Sequence, residues 1–150
     1  MIKTRWILMT LTIPCGVIFW NLLLPTQVVD VHYKSESDSY FVIVKNFPFT
    51  DSGKIKWWEE NRNLLGEKYH IPINSDKYSI GFWTGDYKEE ANTDQGSDLL
   101  CFYDMKSKKK CIEKDSQPLK IWYSKDDNEA QTTFLFNNWQ RTLIKKDSIK

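Results

Sequence analysis

The chain has 150 residues, with 21 basic and 20 acidic side chains, so its formal net charge is +1. This near balance excludes a general nucleic-acid binder, which would carry a strongly basic face. Aromatic residues make up 15% of the chain and supply enough apolar surface to exclude a disordered protein. The length accommodates one domain and an appendage, but not two domains.

The first 25 residues predict a membrane anchor. Lys3 and Arg5 make the N-terminus basic, and the almost continuously apolar residues 6–24 follow. As a helix this segment would span about 28 Å, close to the roughly 30 Å hydrocarbon core of a bilayer. A cleaved signal peptide is the alternative, but the small-residue cleavage site that it needs is missing after the apolar core. The positive-inside rule then predicts a cytoplasmic N-terminus, with residues 26–150 across the membrane.

A disulfide is predicted in the outer domain, which contains Cys101 and Cys111. An even pair of cysteines on the non-cytosolic side of a membrane is typical of a disulfide. Metal binding by the pair is disfavoured, because neither His32 nor His70 is spaced near the cysteines. Cys15, within the apolar segment, is expected to act as a small apolar residue rather than a reactive thiol.

The pattern of the outer domain predicts an α+β fold. Alternating and β-rich runs predict strands over residues 29–34, 40–45, 78–83, 99–103, 119–123, 132–136 and 139–144. Thr50 or Ser52 is expected to cap a helix that continues to Tyr69, and Pro72 prevents its extension. The predicted fold is therefore an N-terminal single transmembrane helix followed by a small domain with one main amphipathic helix packed on a mostly antiparallel sheet. The boundaries are an anchor over 1–25, a domain over 26–144 and a frayed charged tail over 145–150.

The apolar stripe of the helix predicts the side that it buries. Its members recur at a spacing of three and four residues and are Ile55, Trp58, Arg62, Leu65 and Tyr69, with Trp57 and Leu64 widening the stripe. Trp58 is expected in the core, whereas Trp57 lies 100° around the helix and is assigned no fixed side.

Motifs that carry catalysis are missing from the sequence. It has no glycine-rich phosphate loop, no His-Glu-x-x-His zinc site and no Gly-x-Ser-x-Gly elbow. His32 alternates with apolar strand positions and is expected to face solvent, and His70 is expected to cap the end of the helix. We therefore expect a protein that is not an enzyme, with no catalytic residues, no metal site and no cofactor.

Two concentrations of charge are the candidate partner-binding residues. Four carboxylates form an acidic stretch, namely Glu89, Glu90, Asp94 and Asp98. Four lysines follow inside the predicted disulfide loop, namely Lys106, Lys108, Lys109 and Lys110. Ordinary soluble surface explains both, and a polar recognition surface is the sharper interpretation. A lipid-facing role for the lysines also stays open, whereas a metal loop is disfavoured because the acidic spacing does not match an EF-hand.

Several segments resemble a known family. They run from Val44 to Trp58, from Glu67 to Pro72, over Phe82-Trp83, from Asp86 to Glu89, from Leu100 to Lys106 and from Cys111 to Lys114. Together they are similar to the enterobacterial membrane-protein family called domain of unknown function 943, over the anchor and most of the domain to about Tyr123. The resemblance implies a Gram-negative inner-membrane protein with a periplasmic domain, and it assigns no catalytic residues and no partner.

The predicted function is protein binding. The small domain, the missing catalytic set and the expected tether favour a periplasmic module that captures an unknown protein partner at the membrane face, without nucleic acid. An immunity-type protein that neutralises a toxin is its most concrete form. The alternatives are an accessory or sensor subunit of a cell-envelope complex and, less favoured, an uncharacterised periplasmic enzyme.

Overall fold

The structure, a computed structural model, describes residues 24–91 and 98–148. Within these ranges the chain forms one α-helix, α1 (Asp51–Tyr69), a short 3₁₀ turn (Ser35–Ser37) and nine strands. The strands are β1 (Gln27–Lys34), β2 (Ser39–Lys45), β3 (Lys77–Thr84), β4 (Lys88–Glu89), β5 (Leu99–Cys101), β6 (Lys109–Glu113), β7 (Leu119–Lys125), β8 (Glu129–Phe136) and β9 (Arg141–Ser148).

The strands form a large sheet and a small one. The large sheet has the order β1-β2-β3-β7-β8-β9, and the small sheet has the order β4-β6-β5. Only β2 and β3 pair in parallel among the described strands. That pairing follows from α1, which joins the two strands, since parallel neighbours need a crossover long enough to return the chain to the same end of the sheet.

Helix α1 begins and ends where its sequence predicts. The Thr50 side chain accepts a hydrogen bond from the Gly53 N–H at 3.1 Å, the capping contact expected of a threonine before a helix. At the other end His70 takes a left-handed conformation with φ of 55°, two residues before Pro72. The predicted helix and its Thr50 cap are thus confirmed.

The buried side of α1 differs in part from the predicted stripe. Trp58 and Leu65 are buried as expected, but Leu64 is 58% exposed and Arg62 is exposed as well, so both were wrongly included. The position that sequence reasoning missed is Lys54, which is buried. Its ammonium group lies 3.4 Å from the Asp51 carboxylate and 5.8 Å from the Phe136 ring centroid, so both its charge and its stem are accommodated.

The large sheet is covered on both faces at β2 and β3. On the face toward α1, which we call the helix face, twelve buried residues form the main core: Val42, Val44, Trp58, Leu65, Ile71, Tyr78, Ile80, Phe82, Leu119, Ile121, Phe134 and Phe136. On the opposite face, the lobe face, the small sheet packs through a second cluster formed by Ile43, Trp83, Phe102 and Ile112. The domain is therefore three layers, α1, the large sheet and the small sheet.

The predicted fold class is wrong and is corrected by these elements. The described residues are mostly sheet with one helix, and the strands form two sheets rather than one. No helix among the described residues is long and apolar enough to cross a membrane. The predicted anchor and Cys15 fall on residues 1–23, which lie outside the described part of the chain, except that the anchor ends at Leu24 and Pro25.

The C-terminal hairpin also departs from the sequence prediction. Strand β9 starts at Arg141 rather than residue 139 and continues to Ser148, through residues that were expected to be a frayed tail. Residues 129–136 pair along the whole of β9, so the backbone groups of the supposed tail are satisfied within the sheet. The turn expected at Asn137 and Asn138 is present, and both have positive φ.

Candidate functional site

The small sheet is closed by the predicted disulfide. Cys101 of β5 and Cys111 of β6 lie directly opposite each other and are bonded, with Cα atoms 3.9 Å apart. The bond closes a loop that includes all four lysines of the predicted basic stretch, because the loop runs from one cysteine to the other. We call β4, β5, β6 and the residues 102–108 between the last two the disulfide lobe.

Two of the predicted charged residues neutralise each other within the lobe. The Lys110 ammonium lies 3.0 Å from the Glu90 carboxylate and 4.4 Å from the Tyr103 ring centroid. The Tyr103 hydroxyl donates a hydrogen bond to Glu90 at 2.7 Å. This hydrogen bond, followed by the contact with Lys110, lowers the pKa of Glu90 below its usual range. Because Glu90 and Lys110 neutralise each other, this pair presents little net charge to a partner.

Three lysines of the loop keep their charge exposed. Lys106, Lys108 and Lys109 are exposed, and none of them makes an ion pair with a carboxylate of the described residues. Lys109 lies across the β4–β6 pairing from Glu89, which is itself exposed. The closed loop thus presents a local positive charge that no ion pair among the described residues neutralises.

Of the two remaining acidic candidates, the structure describes only Asp98. The carbonyl of Asp98, just before β5, accepts a hydrogen bond from the Lys114 N–H at 3.0 Å. Asp94 lies outside the described residues. The structure therefore brings Glu89 and Glu90 to the lysines through β4, and it does not establish one continuous acidic loop.

His32 is a residue that sequence reasoning placed wrongly. It was expected to face solvent, but it is 4% exposed, because its side chain extends from β1 against the disulfide lobe. Its Nδ1 lies 2.7 Å from the Asp104 carboxylate and its Nε2 lies 2.7 Å from the Tyr87 hydroxyl. Its ring stacks on Phe102 with centroids 3.9 Å apart. One side chain of the large sheet thus binds three residues that come from the lobe or from the segment leading into it.

The surroundings of His32 are negatively charged on both sides of the ring. Asp30 approaches Nε2 at 3.7 Å, and its second carboxylate oxygen accepts the Val31 N–H at 2.9 Å. Burial, then the charges of Asp30 and Asp104, raise the pKa of Tyr87 well above its usual range, so its hydroxyl keeps its proton. We call Asp30, His32, Tyr87 and Asp104 the histidine hub.

The geometry of the hub suits a structural contact between the large sheet and the disulfide lobe better than it suits catalysis. Both ring nitrogens of His32 already have partners, and the two carboxylates approach different nitrogens, so they do not converge on one point. Among the described residues no group of histidine, cysteine and carboxylate side chains is placed to hold a metal ion. A cleft of about 290 Å³ lies beside the hub, and Lys34 and Glu36 in its lining form an ion pair at 3.2 Å.

Strand β1 contains a bulge that changes which of its residues share a face. The register shifts between Val28 and Asp30, so Val29 is an extra residue of a bulge and is exposed. The bulge puts Val28 and Val31 against the main core, while His32 lies opposite Phe41 on the lobe face. The predicted alternation is therefore wrong at Val29, whereas His32 was misplaced because the disulfide lobe covers the face that was expected to meet solvent.

Comparison with known proteins identifies a family for the chain. No curated protein matches the chain. The family model described as enterobacterial putative membrane protein (DUF943) matches residues 2–149, nearly the whole chain. The chain therefore belongs to this family of enterobacterial putative membrane proteins, as the resemblance of its Asn46 to Trp58 segment indicates.

Proposed function

We propose that this protein is a non-catalytic binding module that captures an acidic protein partner through the exposed lysines of its disulfide lobe. The carrying observation is the contrast within the lobe, where Lys110 is neutralised by Glu90 while Lys106, Lys108 and Lys109 are exposed without an ion pair among the described residues. Unpaired charge on a well-held loop steers encounters and selects partners of opposite sign. An immunity-type role, in which the partner is a toxin, is the most specific form of this function.

The rigidity of the lobe supports a role in recognition. The disulfide joins the two strands that carry the loop, and the hub ties Asp104, three residues beyond Cys101, to His32 of the large sheet. A loop held in its bound conformation loses less conformational entropy on binding. The lysines are therefore presented on a preorganised surface rather than on a free tail.

The cell envelope is the proposed location of the domain. A disulfide persists in an oxidising compartment, and the family is one of enterobacterial membrane proteins. Together they support a position of the domain at the periplasmic face of the inner membrane. A partner at this surface would meet the lobe without entering the cytoplasm.

Site-specific photo-crosslinking in native membranes tests the proposal. A photoreactive residue at Ser107, between two of the lysines, is introduced into the full-length protein. We expect one acidic protein as the main adduct. We expect this adduct to be lost when Lys106, Lys108 and Lys109 are replaced by glutamate, because the reversed charge repels the partner.

A matched variant controls for the loss of three positive charges. Lys68, Lys77 and Lys125 are exposed lysines outside the lobe, and their replacement by glutamate should leave the adduct unchanged. Equal loss in both variants, or no loss in the lobe variant, would contradict recognition by the lobe. If the captured protein is a stable envelope complex whose capture protects against no toxin, the accessory-subunit alternative replaces the immunity form.

A further inference from the structure

The strand registers bring several chain turns to one end of the large sheet. Strands β2 and β3 run in parallel and end at Lys45 and Thr84. In the antiparallel pairs that follow, Phe82 lies opposite Leu119, and Leu119 lies opposite Phe136. The segment before α1 and the turn between β8 and β9 therefore project from the same end, which we call the entry end because the chain enters β1 there.

Several exposed apolar side chains of the described residues lie at the entry end. Phe49, just before α1, is 90% exposed, and Trp139, in the β8–β9 turn, is 49% exposed. Leu24 is 38% exposed at the first described position. Trp139 has a φ of 76°, a left-handed conformation that costs a tryptophan on the order of 1 kcal/mol. The ring of Trp139 packs edge to face on that of Trp122 in β7, with centroids 4.9 Å apart, so this half-exposed side chain is held in place.

The path of the chain indicates what covers this surface. The Thr26 hydroxyl donates a hydrogen bond to the Asn46 carbonyl at 2.8 Å, so the chain enters beside the segment that leads to Phe49. Only Pro25 and Thr26 separate Leu24 from β1, and no charged residue occurs between Trp6 and Val29. The chain belongs to a family of membrane proteins, and its uncharged segment therefore joins the domain next to the exposed aromatic residues.

Two basic residues of the entry end are neutralised by carboxylates, and a third, Lys120, lies over the Trp139 ring with its ammonium group 5.1 Å from the ring centroid. Lys45 lies 3.4 Å from Asp86, and Arg141 lies 2.8 Å from Asp51 at the start of α1. A phosphate-rich or acidic protein surface would find little net charge here. Aromatic side chains flanked by paired charges suit the layer between lipid headgroups and acyl chains.

We propose that the entry end lies against the lipid bilayer, with Phe49 and Trp139 in its interfacial layer. The contact orients the domain on the membrane and leaves the disulfide lobe to the partner. It does not depend on which partner the lobe binds. Because aromatic burial rather than charge maintains the contact, it should persist at high salt.

Spin-label accessibility in the full-length protein tests this orientation. The protein carries Cys15→Ser, so that a single introduced cysteine is labelled, and is reconstituted in vesicles of phosphatidylethanolamine and phosphatidylglycerol. A nitroxide on Ser52→Cys, in the first turn of α1, is compared with one on Ser35→Cys, in the turn at the other end of β1 and β2. We expect a severalfold higher ratio of oxygen to nickel-complex accessibility at residue 52, because oxygen concentrates in lipid and the nickel complex stays in water.

Two further variants decide whether Phe49 makes the contact. Phe49→Ala should lower the ratio at residue 52, whereas Leu64→Ala, at an exposed apolar residue nearer the other end of α1, should leave it unchanged. Equal ratios at residues 52 and 35, or equal effects of the two alanine variants, would overturn the proposal. A ratio that collapses at high salt would overturn it as well, since the contact would then be electrostatic. Failure of the Ser107 crosslink would bear only on the proposed function.

Discussion

The two faces of β2 and β3 are covered in different ways. The helix face carries twelve buried residues and one long helix, whereas the lobe face carries a cluster of four, a disulfide and the histidine hub. A large apolar layer is stabilised mainly by burial, at roughly 25 cal/mol per Å² of apolar surface. A thin layer of short strands buries less, so covalent and polar contacts contribute more of its stability. The candidate site therefore lies on the layer that depends on specific contacts.

Removing the largest side chain from the helix face should have the greatest effect. Trp58 is 1% exposed, and its ring lies 6.0 Å from that of Phe82. Trp58→Ala should lower the free energy of unfolding by about 3–5 kcal/mol, because it removes apolar burial and leaves a cavity. Urea denaturation measures the change. Leu64→Ala on the exposed side is the control, and an equal loss in both variants would contradict the assignment of the core.

Removing the disulfide should have the next largest effect. The double variant Cys101→Ala, Cys111→Ala should lose about 2–4 kcal/mol, mainly because the unfolded chain gains freedom. Hydrogen exchange should quicken in β5 and β6 before it does in β7, since the lobe is the layer that needs the bond. Chemical reduction of the unaltered protein should reproduce this pattern. Identical unfolding with and without reductant would show that the disulfide contributes nothing to the lobe.

Breaking the histidine hub should have a smaller effect that is confined to the same layer. His32→Gln keeps a polar side chain but loses one of the two contacts with Asp104 and Tyr87, at a cost of about 1–3 kcal/mol. His70→Asn, at the exposed histidine, is the control and should be close to neutral, because asparagine tolerates the left-handed conformation of this position. In a double-mutant cycle with Asp104→Asn the two losses should not add, because the side chains share one hydrogen bond. Additive losses would mean that the hub does not act as a unit.

The helix face should also weaken at high pH. Burial raises the pKa of Tyr78 to about 12, and its ring stacks on Tyr123 with centroids 4.8 Å apart. A tyrosine with a raised pKa stabilises the fold fully below its unfolded value near pH 10 and loses that contribution as the pH rises toward 12. Urea titrations between these pH values should show a steeper loss for the unaltered protein than for Tyr78→Phe. Parallel curves would show that Tyr78 is not the group responsible.

Reversing the exposed charges of the lobe should have the smallest effect on stability. Replacing Lys106, Lys108 and Lys109 by glutamate should change the free energy of unfolding by under about 0.5 kcal/mol each, because these side chains are exposed. Thermal melting of the same variant that is used for crosslinking measures this change in stability. Loss of the adduct with an unchanged melting temperature would separate recognition from folding. A large drop in melting temperature would indicate that the lysines stabilise the lobe instead.

Local signals in the sequence were sufficient for α1 and for the disulfide. A threonine cap, a run of helix-forming residues and Pro72 act within a few residues of one another, so the helix could be predicted with its Thr50 cap. The disulfide could be predicted from composition and the expected compartment. The strands were found in outline, but the two-residue β4 and the basic strand β6 were missed, because short or highly charged strands lack a clear alternation.

Contacts between distant segments decided the rest of the candidate site. The burial of His32 needs Tyr87 and Asp104, which lie 55 and 72 residues further along the chain, so no local pattern specifies it. The same holds for Glu90 and Lys110. In the sequence they do not differ from the charged residues beside them, and only the pairing of β4 with β6 brings them together. The sequence by itself determined which residues carry charge, apolar surface and sulfur. Only the tertiary structure decided which charges are neutralised, because pairing depends on distances that folding creates.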